Sequence, residues 1–147
     1  MPDRRPPGTR ADYPLFRPLG TRWMDNDIYG HMNNVVHYSL LDTAVNGWLV
    51  ENGLIDPWTG ETYFLVVESG YRYHAEVAFP SILAAGLRIG RLGSSSVRWE
   101  IGLFPDDAES AAAAGFFVHV NVARADHRPR PIEAAARALM TPLATPS

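Results

Sequence analysis

The sequence predicts an α+β domain in which one long apolar helix is covered by one antiparallel sheet. Three observations carry this. Between Asn34 and Asn52 the apolar residues recur every three or four positions, the period of a helix face. From Tyr63 onward, segments rich in apolar residues alternate with polar ones at the period of a strand. The connections between most of those segments are short, which implies antiparallel neighbours. A helix and a sheet with one apolar face each bury one another when the sheet wraps around the helix.

The elements follow in order. A first strand is predicted over Leu15 to Trp23, followed by a polar junction. In the helix from Asn34 to about Asn52, Tyr38, Leu41, Val45 and Trp48 form one stripe. Val36, Leu40, Ala44 and Leu49 widen it, so the helix is expected to be buried over most of its circumference. Asn52-Gly53 is its stop signal and Asp56 to Gly60 a loop. The strand from Tyr63 to Val77 carries Tyr63, Leu65, Val67, Tyr71, Tyr73 and Val77 on one parity, and Glu68, Arg72, His74 and Glu76 on the other. Leu83 to Leu92 and Ser95 to Phe104 follow, the latter with Val97, Trp99, Ile101 and Leu103 against Arg98 and Glu100. Arg91 to Ser94 is the hairpin turn between them, and Pro105 to Ser110 opens a longer one. Gly115 to Arg124 places Phe116, Val118, Val120 and Val122 on one face and His119 and Asn121 on the other. A short helix is expected over Pro131 to Met140. Residues 13–140 make a single domain, with 1–12 and 141–147 as mobile tails rich in proline and small residues.

Bulk composition narrows the function. A chain of 147 residues, 46% apolar and 20% charged, builds one core of ordinary size. A net charge of −3 gives no reason to expect nucleic acid or an anionic membrane as partner. The chain has no cysteine, which removes disulfides, thiolate metal sites and cysteine nucleophiles and fits a cytoplasmic location. No run is long and apolar enough to span a bilayer, and no apolar stretch follows the basic N-terminus as a secretory signal requires.

The densest group of chemically capable residues is Arg22-Trp23-Met24-Asp25-Asn26-Asp27-Ile28-Tyr29-Gly30-His31-Met32-Asn33-Asn34. It places carboxylates beside the unpaired N–H groups that open a helix. A base or nucleophile on one side and an oxyanion donor on the other are the minimum equipment for acyl transfer. Spacing alone also fits a plainer role. Asp25 and Asp27 are common turn acids, and Asn33 and Asn34 common helix caps. Capping and oxyanion support are compatible, because the donor would be backbone. Gly30 lets the chain turn tightly and leaves room for a substrate. Asp25, Asp27 and His31 are permissible metal ligands, but no second cluster joins them, so no metal is expected. Ser94, Ser95 and Ser96 have no His and Asp at a recognisable triad spacing. Glu68, on the polar parity of its strand, fits both an exposed acid and a group that meets substrate. His37, Asp42 and Asn46 interrupt the apolar helix and fit an interface, an acyl pocket or solvent.

The pattern Arg22-Trp23-x-Asp25-x-Asp27-x-x-Gly30-His31-Met32-Asn33-Asn34, followed by Tyr38, resembles the signature of hotdog-fold acyl-CoA thioesterases, closest to the 4-hydroxybenzoyl-CoA thioesterase type. The resemblance continues through Val66-Val67-Glu68-x-x-x-x-Tyr73 and Arg91-Leu92-Gly93-Ser94-Ser95-Ser96-Val97, and spans Leu15 to Arg124. It implies a hotdog fold, with subunits joining their sheets as a homodimer or dimer of dimers and active sites at the interface. It implies hydrolysis of acyl-CoA to free acid and CoA, without metal or organic cofactor. Asp27 matches the catalytic carboxylate, as nucleophile or as general base for water. The backbone N–H near Asn34 matches the oxyanion donor. Gly30, His31, Asn33, Tyr29, Tyr38 and Glu68 are then the expected substrate contacts, with Phe64 a further candidate for the acyl pocket. The chain departs from the family at Ser94, where members often carry a basic residue beside the CoA phosphates. Arg88, Arg91, Arg98, Arg128 or Arg130 would supply that charge. Two alternatives remain: a non-catalytic acyl-CoA binding or sensing module, and a hydratase or dehydratase using His31 with a carboxylate.

Overall fold

The helix begins where its cap is. In the computed structural model, which describes residues 5–144, α1 runs Asn34–Glu51, and the Asn33 side chain accepts a hydrogen bond from Val35 N–H. Its end is a Schellman turn. Gly53 has φ +67°, Gly53 N–H donates to the Val50 carbonyl, and Leu54 N–H donates to that of Leu49. One face of α1 is buried through Leu41, Ala44, Val45, Trp48 and Leu49. Val35, Ser39, Asp42, Thr43 and Val50 are exposed, so less of the circumference is covered than the composition suggested.

Five antiparallel strands, β1 (Leu15–Leu19), β2 (Thr62–Tyr73), β3 (Leu83–Leu92), β4 (Ser96–Pro105) and β5 (Ala113–Ala123), form one sheet in the order β1-β3-β4-β5-β2. The sheet packs on α1, which is the predicted α+β hotdog arrangement. A second helix, α2 (Ala134–Met140), adds Ala136 and Met140 to the same core. No helix among the described residues is long and apolar enough to cross a membrane.

Register explains which side chains meet α1. On β4, Val97, Trp99, Ile101 and Leu103 are fully buried, as their alternation predicted. They stand opposite Ile89, Leu87 and Ala85 on β3, and opposite His119, Phe117 and Ala113 on β5. On β5 the face that turns inward carries Phe117, His119 and Asn121, while Phe116, Val118 and Val120 lie half-buried on the outer face. The faces of β5 follow from its pairing with β4.

β2 also departs from simple alternation. Val66 pairs with His119 and Glu68 with Val118, so Val67 is an extra, bulged residue. The bulge exchanges the faces. Phe64 points to the core before it and Tyr71 after it, although their numbers differ in parity. The strand stops at Tyr73, four residues short of the expected Val77.

The described parts of the two expected tails are tied to the body. Ala111 N–H donates to the Gly8 carbonyl, and the Arg10 guanidinium donates to the carbonyls of Ala108 and Asp106. Tyr13 lies buried on the outer face of the sheet, in a slot made by Gly86 and Gly102. Leu143 packs into the main core. Residues 1–4 and 145–147 of those tails lie outside the described residues.

A Cβ at Gly86 would stand 2.7 Å from Tyr13 Cγ, close to the backbone, where the ring cannot simply swing aside. Gly86→Ala is therefore expected to lower stability by about 1–3 kcal/mol in urea unfolding. Tyr13→Ala should cancel much of that loss in the double variant.

Candidate active site

The junction between β1 and α1 folds as a small hairpin. Asn26 bridges Met32, Asp27 N–H donates to the His31 carbonyl at 2.8 Å, and Asn33 N–H donates to the Asp25 carbonyl at 2.9 Å. Gly30, at φ +81°, makes the turn that a side chain would strain. The base of the hairpin is fixed. The Asp25 carboxylate is buried and accepts from Arg22 N–H, Nε and Nη2 at 2.7, 3.1 and 3.0 Å. Met32 is buried in the core, and its N–H donates to the Val77 carbonyl. Phe79 N–H donates to Asn26 Oδ1. Asp25 thus shapes the loop. The tip, at Ile28 and Tyr29, is exposed.

Asp27 is held on one side only. Its Oδ1 accepts from Tyr29 N–H at 2.8 Å and more weakly from His31 N–H at 3.4 Å, an Asx turn. Oδ2 has no partner among the described residues. At the head of α1, Asn33 takes up Val35 N–H with its side chain and Val36 N–H with its carbonyl. Asn34 N–H is left with no acceptor among the described residues. A half-engaged carboxylate and an open helix N–H therefore sit on one braced loop. The metal alternative meets occupied groups: Asp25 is spent on Arg22, and His31 Nε2 lies 2.9 Å from Glu76 Oε2.

The remaining predicted contacts are distributed unevenly. Tyr38 is half-buried one turn into α1, with its ring 5.1 Å from that of Tyr71. Tyr29 stands free of the body at the loop tip. Glu68 pairs with Val118 and lies on the outer face of β2, opposite the face that carries Tyr71 and Tyr73. Phe64 stacks on His119 and borders a cleft of about 300 Å³ with Leu54, Ile55 and Asn121. It lies nine residues before Tyr73, roughly 30 Å along the strand from the helix start. Sequence reasoning missed an aromatic group that does border that start. Tyr73 Oη donates to the Asn34 carbonyl at 3.5 Å, and the His37, Tyr71 and Tyr73 rings lie within 5.5 Å of one another. The available signal was Tyr71 and Tyr73 on one parity, together with His37 one turn inside the helix.

Comparison with known proteins agrees with this architecture. The profile of the thioesterase superfamily matches residues 29–112, more than half of the chain. This chain belongs to the thioesterase superfamily. The match begins two residues after Asp27 and includes Gly30, His31, Asn33, Asn34, Tyr38 and Glu68. The PA5185 protein of Pseudomonas aeruginosa is 47% identical, over 97% of this chain and 99% of that one, with a TM-score of 0.93. The PA2801 protein of the same organism, a thioesterase candidate by its name, is 29% identical over 84% and 95%, with a TM-score of 0.79. A 1,4-dihydroxy-2-naphthoyl-CoA thioesterase of Synechocystis shares the fold, at 14% identity over 87% and 96%, with a TM-score of 0.79. No curated protein matches the chain by sequence.

This thioesterase-superfamily chain buries two histidines between α1 and the sheet. His119 is sandwiched by Phe64 and Phe117, and its Nδ1 has no partner. Burial pushes its pKa down to about 4 and also lowers that of His37. Burial raises Tyr71, whose hydroxyl is likewise unpartnered. The unfolded chain protonates His119 near 6.5, whereas the folded chain resists protonation until about 4. Its contribution is therefore fully present above pH 6.5 and is lost as pH falls toward 4. Over that interval about 3 kcal/mol of stability should disappear from urea unfolding, and His119→Leu should flatten the dependence.

Proposed function

We propose that this protein hydrolyses acyl-CoA thioesters to free acid and CoA. Asp27 acts on the thioester carbonyl, as nucleophile or by taking a proton from water, and Asn34 N–H receives the developing charge. The observation that carries the reading is the division of labour at the head of α1. Asn33 caps two neighbouring N–H groups and leaves that of Asn34 open, while Asp27 keeps one oxygen without a partner among the described residues.

The chemistry needs little more. A thioester carbonyl is already electrophilic, and attack moves negative charge onto its oxygen. A helix N-terminus offers a fixed donor and a favourable dipole at that point. Such a donor is typically worth about 3–4 kcal/mol of barrier. With direct attack, Asp27 Oδ2 forms a mixed anhydride as the CoA thiolate leaves, and water then releases the acid. With base catalysis, Asp27 takes a proton from the water that attacks the carbonyl, and the thiolate leaves with a proton.

Turnover of a panel of aromatic and aliphatic acyl-CoA esters tests this, read as release of free thiol. The panel includes 1,4-dihydroxy-2-naphthoyl-CoA, named for the Synechocystis protein. Asp27→Asn keeps an oxygen for the Asx turn and should fold normally, yet lose at least about 100-fold in kcat. Binding of acyl-CoA with no turnover of any ester would favour the sensing module.

The same reading makes the protein a homodimer or a dimer of dimers, joined along β2. That strand is an edge of the sheet, twelve residues long, and Val66, Val67 and Tyr73 are exposed on it. An open apolar edge of this length invites pairing with a second copy. Val66→Lys should shift the mass measured by light scattering toward the monomer and reduce activity with it. An unchanged mass would place the contact elsewhere.

A further inference from the structure

The outer face of the sheet carries a cleft of about 630 Å³ between the segment leading to Tyr13 and strands β2 and β5. Its charge is one-sided: Arg5, Arg72, Arg88 and Arg98 line it against Asp12 and Glu100. Both acids are already engaged. The Asp12 carboxylate accepts from Thr9 N–H at 2.8 Å. Glu100 is shared, with Oε1 accepting from Arg88 Nε at 2.9 Å and Oε2 from Arg98 Nε at 3.2 Å. Each arginine touches Glu100 through Nε alone. Both Nη groups of Arg98 and Nη2 of Arg88 have no acceptor among the described residues, and neither does Arg72.

The cleft is built by the sequence. A Cβ at Gly90 would meet the Glu100 carboxyl carbon at 2.7 Å, so that glycine makes room for the shared acid. A Cβ at Gly70 would meet the Phe116 ring at 2.6 Å. That ring carries the Arg98 guanidinium 3.9 Å above its centroid, and Tyr13 carries that of Arg88 at 5.0 Å. Aromatic faces thus hold the two cations in place. Planar guanidiniums with open Nη pairs suit phosphate oxygens, which accept two parallel hydrogen bonds. The volume suits a small molecule. A polyanion fits poorly, since the chain as a whole carries a charge of −3 and these cations gather in one hollow.

We propose that this cleft binds a phosphate-bearing ligand of nucleotide size through Arg72, Arg88 and Arg98. The phosphates come either from the CoA portion of the substrate, an arm that rests on the thioesterase reading, or from a free nucleotide. Isothermal titration of the full chain with ADP, with pyrophosphate and with free CoA tests it at two salt concentrations. Saturable binding is expected, weaker at higher salt. Arg72→Ala should weaken it roughly fivefold, and Glu100→Gln should tighten it by removing the competing acid. No saturable binding up to about 10 mM would overturn the proposal, as would binding that neither variant alters. With acyl-CoA, a KM raised by Arg72→Ala at unchanged kcat identifies the CoA source. Weakened ADP binding at unchanged KM identifies a free nucleotide. The titration decides the site even if no acyl-CoA is turned over.

Discussion

The contact of Trp48 on α1 with Trp99 on β4, ring centroids 5.5 Å apart, lies at the centre of a constraint that reaches the whole sheet. Four alternate residues of β4 are fully buried beneath the helix. Each such large side chain is worth about 1.5–3 kcal/mol in apolar burial, and their sum decides which side of the sheet is inside. Because side chains alternate, pairing with β4 then assigns the faces of β3 and β5 residue by residue. His119 and Asn121 are carried inward by that assignment. Asn121 Nδ2 recovers hydrogen bonds to the carbonyls of Arg130 and Pro131. His119 stays neutral and is accommodated between two phenylalanine rings.

The same core presents the candidate site. Met32 is one of its buried residues and pins the end of the junction loop, and α1 begins two residues later. Asp25 closes the base of the loop on Arg22. Asp27 is therefore carried on a short hairpin tied at its base to Arg22 and at its end to the core that holds the helix. In the proposed reaction, fixed geometry of this kind favours charge stabilisation, because the proposed donor and carboxylate need not be organised as the thioester is attacked. The loop tip at Ile28 and Tyr29 is exposed, and β2 is an edge of the sheet.

Inner and outer faces of the sheet have different work. The inner face is apolar and aromatic, and it supports the helix on which the proposed reaction depends. The outer face combines small residues with arginines and aromatic rings. Gly70, Gly86, Gly90 and Gly102 each leave room for a side chain lying across the strands. Tyr13, Phe116 and Glu100 occupy those spaces and position the cations around them.

Local patterns in the sequence determined the helix, its asparagine cap and glycine stop, the strand content and the inward face of β4. These depend on neighbours within a turn or a hairpin, so periodicity and cap residues report them directly. The motif from Asp25 to Asn34 likewise marked the loop, since its turn and caps are local. Tertiary structure decided the rest. Phe116, Val118 and Val120 form the more apolar side of β5 yet face outward, because partner strands outweigh one strand's own preference. The bulge at Val67 reverses the faces of β2, and no alternation pattern announces an extra residue. Glu68 and Phe64 share that strand with the aromatic group at the helix start, but register turns Glu68 to the outer face and about 30 Å of strand separates Phe64 from that group. The arginines around Glu100 come from β2, β3 and β4, and only the pairing of those strands turns scattered surface charge into one cleft.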